Sequence, residues 1–207
     1  MPQQLLWHFF WLGGPLAVPF TLTKQCQIWL AQLVSESIED VFREQNTLCP
    51  EVPTNFSKEE QEQVQAKLGA FVTLTLHGQL RGCIGSIVAY EPLYQNVWHM
   101  ARAAAFQDPR FRPVDSLEWN DICAEISVLS EPTLCPDPSK IVVGQHGLIL
   151  KKAGRTGVFL PQVPVEQRWS LSEYLEHLCL KAGLPKGSWQ DPEASLYWYE
   201  ALVFPVR

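Results

Sequence analysis

Residues 80–85 read Leu80-Arg81-Gly82-Cys83-Ile84-Gly85, two glycines bracketing one thiol. Glycine accepts positive φ and lets a neighbouring backbone or a ligand approach closely, so this spacing holds the chain to an unusual path around Cys83. The segment follows the apolar run Gly69 to Leu76 and a His77-Gly78 turn, and it leads into Ser86-Ile87-Val88. That order predicts a hairpin over Ala70 to Val88 with the motif on its second arm, irregular at Gly82 or Gly85. Two readings follow. The Arg81 guanidinium would favour a Cys83 thiolate, giving a reactive thiol; alternatively, a small buried residue sits in a bulged or bent strand.

The rest of the chain punctuates clearly. Thr23 is a candidate N-cap for a helix whose apolar face runs Cys26, Leu30, Leu33, Val34, Ile38 and Val41. Ser57 with Glu60, and Ser170 with Glu173, match the capping box that starts a helix. Pro92 suits the first position of a helix that ends before Gln107-Asp108-Pro109. Residues 121–130 alternate, with Ile122, Ala124, Ile126 and Val128 on one face and Cys123, Glu125 and Ser127 on the other. The polar face should line solvent or a cleft shared with Cys83. A second hairpin is expected over 144–160, and an aromatic, β-rich strand over 195–204. Pro132, Pro136 and Pro138 mark the best candidate for a boundary between lobes. Hairpins mixed with helices, without regular βαβ alternation, predict an α+β fold with largely antiparallel sheets and flanking helices.

At 207 residues with 46% apolar and 18% charged residues, the chain can bury a full core as one domain over residues 21–207. Residues 1–20 form an apolar N-terminal extension with no basic n-region, broken by Gly13, Gly14 and Pro15; it is expected to pack on the body or to reflect an upstream start. A membrane role is disfavoured. The net charge of −6 and the lack of any Lys/Arg run disfavour nucleic acid. A local cluster of Arg102, Arg110 and Arg112 could still take a small anion. The six cysteines, at 26, 49, 83, 123, 135 and 179, include no CxxC pair and no zinc-like spacing with histidine, so no metal and no cofactor is expected. Scattered free thiols in a chain of this size fit a reducing cytoplasm.

The motifs GxGxxG, GxxxxGK[ST], HExxH and GxSxG are all absent. Chemistry, if the protein performs any, therefore falls to Cys83 as nucleophile or redox thiol, with Glu125 or His146 as acid/base. Arg81, Gly82 and Gly85 would line the place of a substrate, Arg81 acting as activator or anion clamp. His146 lies one residue from Gly144 and Gly147 is its neighbour, so it reads equally as a turn residue. The competing reading is a binding module that recognises a small molecule, a peptide or a partner in the same cleft.

The ordered segments GAFVTL, LRGCIGSI, AAAFQDPRFRPV, EISVLSEP, GLIL, FLPQV and YLEHLCLKAGLP resemble the AMMECR domain family, whose prokaryotic members are called AmmeMemoRadiSam system protein A. The resemblance spans roughly residues 22–206. It implies a two-lobed α+β domain with RGCIG facing a cleft between the lobes, and company in a Memo-type protein and a radical-SAM protein; it supplies no reaction. The apolar extension and the capped insert at Ser57 to Lys67 depart from the family pattern.

Overall fold

The structure, a computed structural model, describes residues 20–45 and 47–206, so the expectation for the apolar extension falls outside the described residues. Helix α1 (Lys24–Phe42) opens where the Thr23 hydroxyl accepts the Cys26 N–H, and its buried face carries Cys26, Leu30, Leu33, Val34 and Ile38. Helices α2 (Lys58–Gln65) and α5 (Leu171–Lys181) both begin with complete capping boxes, from Ser57/Glu60 and Ser170/Glu173. Helix α3 (Leu93–Phe106) starts at Pro92, and α4 (Gln162–Glu166) is a short turn.

Among the described residues seven strands form one sheet: β1 (Ala70–Leu76), β2 (Gln79–Ser86), β3 (Ile122–Leu129), β4 (Thr133–Leu134), β5 (His146–Lys152), β6 (Arg155–Phe159) and β7 (Ser195–Pro205). Its order is β2-β1-β3-β7-β5-β6, with β4 also on β7, and every pairing is antiparallel. The eleven-residue β7 is the spine: its first half pairs β5 and its second half pairs β3. The proline-rich stretch 132–138, where a lobe boundary is expected from sequence, contributes β4 to that same sheet. The two halves therefore share their hydrogen bonding while keeping separate cores.

Each half has a helix on its outer side. Alternation along β1 buries Ala70, Val72 and Leu74 against α1 and α3, and that cluster extends to Val97, Ala101 and Ile126. On the other half, Leu148 and Leu150 of β5 pack on Tyr174, Leu175 and Leu178 of α5. A third, smaller cluster occupies the inner face, where Phe71 and Ile87 from one end of the sheet meet Val158 and Leu160 from the other, around Leu129, Ile149 and Tyr199. The sheet curls, and its two edge strands, β2 and β6, approach each other.

Candidate functional site

The hairpin β1–β2 is regular except between Leu74 and Thr75, where Leu74 pairs Gly82 and Thr75 pairs Leu80. Arg81 is the extra residue, so the irregularity stands immediately beside Gly82. Both glycines are explained by close approach. A Cβ on Gly82 would collide with the main-chain carbonyl oxygen of Ala104 on α3, and one on Gly85 would collide with the Phe71 ring. Their role in the packing is independent of any ligand.

The bulge releases Arg81 from the strand alternation into a buried ion pair. Its Nε donates to Glu118 Oε1 at 2.7 Å and its Nη2 to Glu118 Oε2 at 2.9 Å, with both side chains about nine-tenths buried. Glu118, from the 3₁₀ turn Glu118–Asp121, is held below the usual carboxylate range first by that hydrogen bonding and also by the charges of Arg81 and Arg112. The guanidinium expected beside the thiol is thus committed to Glu118.

Cys83 is gripped by its backbone instead. Its N–H donates to Asp108 Oδ2 at 2.9 Å, and its carbonyl accepts from Arg110 Nη2 at 3.1 Å. Asp108 is buried and also takes the Arg110 Nε at 2.9 Å and Nη2 at 2.6 Å. Its carboxyl lies far below the ordinary range, chiefly through Arg110 and with help from the Cys83 N–H. The two side chains satisfy the outward amide and carbonyl of an edge strand as a neighbouring strand would. In the sequence Arg110 stands out only as one of three arginines with Arg102 and Arg112, and the structure disperses that cluster. Arg102 pairs Asp40 at 2.6 Å, and Arg112 reaches Asp115 at 3.3 Å and Glu118 at 3.5 Å.

The Cys83 side chain is half-buried on the inner face, its sulfur 3.3 Å from Thr73 Oγ1. Thr73 pairs Cys83 on one side and Glu125 on the other, so these three residues form one row across β2, β1 and β3. Phe71, Gly85 and Ser127 form the next row, and Thr75, Leu80 and Cys123 the previous one. Glu125 is exposed, yet its carboxyl is raised above the usual range, first by the protein that shields it from water and second by the charge of Glu166 on α4.

His146 lies elsewhere. It pairs with Glu200 at the start of β5, its Nδ1 accepts the Val142 N–H at 3.0 Å, and its ring lies 4.5 Å from that of Trp198. This arrangement closes a turn, and burial lowers the imidazole below its usual range. Its neighbours in a small recess are Trp198, Glu200, Ser130 and Glu131, not Cys83.

Between the sheet edges opens a recess of about 560 Å³, bounded by Phe71, Gly85 and Ile87 on one side and by Val158, Phe159, Leu160 and Val163 on the other. Its charged residues are Arg110 and Lys181, both basic. Apolar walls with a few polar groups, here Lys181 and an Arg110 already paired with Asp108, are typical of a small-molecule or peptide site. Among the described residues, no three His, Cys, Asp or Glu side chains gather as metal ligands, and no helix is long and apolar enough to cross a membrane.

A single curled antiparallel sheet with helices on its outer faces and a basic-ended recess between its edge strands defines the class: an α+β domain with one shared spine. The AMMECR1 family profile matches residues 31–204, and the chain belongs to that family. Protein NEQ441 of Nanoarchaeum equitans is 41% identical over 153 residues, covering 70% of this chain and 85% of that protein. Protein TK0174 of Thermococcus kodakarensis is 37% identical over 188 residues, 85% of this chain and 88% of its own length. The crystal structure of PH0010 from Pyrococcus horikoshii superposes with a TM-score of 0.78 at 34% identity, covering 90% of this chain and 94% of that one.

Proposed function

We propose that this protein is a binding or accessory protein whose ligand, a small molecule or a peptide segment, seats in the recess between β2 and β6. The observation that carries this reading is the recess itself, with apolar walls on both strands and only Arg110 and Lys181 as charges. The RGCIG segment then serves as scaffold: Gly82 docks β2 on α3, Arg81 anchors the 3₁₀ turn, and the Cys83 peptide fixes Arg110 at the rim. A cytoplasmic setting with Memo-type and radical-SAM partners belongs to the proposal through the family resemblance. Val163→Trp, which fills the recess from α4, tests it. Purified wild-type protein should bind the Memo-type or radical-SAM protein of its own cell, and the variant should lose that binding at unchanged melting temperature. Undiminished binding by a folded Val163→Trp would remove the recess from the function.

A second reading has its own observation. Cys83 and Glu125 flank Thr73 in one row, and a carboxyl with a raised pKa is suited to proton transfer. In that reading Cys83 is the nucleophile or redox thiol and Glu125 the acid/base, with His146 outside the row.

A further inference from the structure

We infer that the occupant of the recess is an acidic peptide in extended conformation, added as a strand between β2 and β6. The inference rests on the binding reading above and names its ligand class. Three observations converge on it.

The first is backbone direction. The Cys83 N–H and C=O bond to Asp108 and Arg110, away from β1. The register from Thr73/Cys83 to Phe71/Gly85 is unbroken. Strand geometry repeats every two residues, so the N–H and C=O of Gly85 also face away from β1. Asp108 and Arg110 thus close the edge at Cys83, and the next outward position, Gly85, lines the recess.

The second is what stands opposite. Val158 and Phe159 belong to β6, the other terminal strand of the sheet. A slot between two sheet edges accepts a strand, whose main-chain hydrogen bonds supply affinity and whose alternate side chains supply selectivity. A further recess of about 540 Å³, whose lining includes Glu131 as well as Lys67 and Lys151, adjoins the first at Ile87. An elongated path suits a chain rising about 3.3 Å per residue.

The third is charge. No acidic residue lines the main recess, and while Arg110 is already paired with Asp108, Lys181 has no ion pair among the described residues, which favours an anionic group on the occupant.

The probe is a synthetic pool of random octapeptides with free C-termini, selected on the intact protein and sequenced by mass spectrometry. Enriched peptides should alternate apolar side chains and carry Asp, Glu or a terminal carboxylate near one end; amidating the C-terminus tells the two anion sources apart. Lys181→Glu should weaken the best peptide at least tenfold by fluorescence anisotropy. N-methylation of a single peptide amide within the slot should weaken binding at least tenfold at either parity, because a strand held between two edges turns alternate amides to β2 and to β6. Binding unchanged by N-methylation at both parities overturns strand addition. A parallel arm titrates decanoate and 4-phenylbutyrate while following the amide signals of Gly85, Ile87 and Val158. If these acids shift those signals and no peptide is enriched, the recess binds small molecules and the peptide inference fails alone. If neither probe reaches the recess, the binding reading fails with it.

Discussion

The Asp108 carboxylate accepts the backbone N–H of Cys83 at 2.9 Å, so the loop after α3 is fastened to the edge of the sheet by one buried anion. The same carboxylate carries the Arg110 guanidinium on two bonds. Strand edge, loop and rim cation therefore form one unit.

Asp108→Ala should be among the more damaging polar substitutions. It leaves the Cys83 amide and the Arg110 guanidinium without their acceptor, a loss of about 1–3 kcal/mol for an unsatisfied buried donor. Because the folded carboxyl lies below its unfolded value, the stabilisation is fully present above about pH 4, declines below that as the unfolded chain takes up the proton, and is gone once strong acid protonates the folded form. Urea unfolding at pH 7 and pH 3 measures this, and the difference between wild type and variant should shrink at the lower pH.

Gly82→Ala should destabilise by about 1–3 kcal/mol, the cost of forcing an atom into a packed site, because the Ala104 carbonyl that it meets is main chain. Gly78→Ala is the control: it has open space, and only its φ of 77° opposes the methyl group. Thermal melts of both variants separate close approach from backbone strain, and the two glycines differ in the expected manner if Gly82→Ala also reduces protection of α3 amides.

What could be read from the sequence follows from range. The N-caps Thr23, Ser57 and Ser170 act on partners three residues away, so their spacing is visible in one dimension. The alternation of β3 is local in the same sense, and it placed Glu125 on the face that also carries Cys83. The partners of the motif were not legible. Arg81 meets Glu118 across 37 positions and Cys83 meets Asp108 across 25, and nothing in the intervening sequence encodes those distances. Arg81 beside Cys83 in the chain suggested an activated thiol, but a one-residue bulge sent the guanidinium to Glu118.

His146 should give the protein a mild dependence on pH near neutrality. Its folded pKa is depressed by burial, so the unfolded chain takes up a proton first as pH falls. Its contribution is fully present above about pH 6.5, the unfolded value, and is lost as pH falls from there toward the folded value. His146→Asn retains an acceptor for the Val142 N–H but cannot titrate. The melting temperature of the wild type should therefore fall relative to the variant between pH 7.5 and pH 5.5, and parallel curves would assign that range to other groups.

Alkylation decides between the thiol-chemistry and binding readings because the cysteines differ sharply in setting. Cys26 and Cys179 are buried and raised by that burial, and Cys49 is pushed up to about 12, first by burial and then by the charge of Glu91. At pH 8 a thiol of that pKa is ionised to about one part in ten thousand, and the thiolate is the attacking species. Those three should stay unlabelled by iodoacetamide in the folded protein. Cys123 is exposed and supplies the internal standard for an accessible thiol. If Cys83 is a nucleophile, mass spectrometry should find it labelled faster than Cys123, and Glu125→Gln in the same row should change that rate. Labelling of Cys83 slower than Cys123, unaffected by Glu125→Gln, would make the sulfur a packing group against Thr73 and leave the recess as the working part of the molecule.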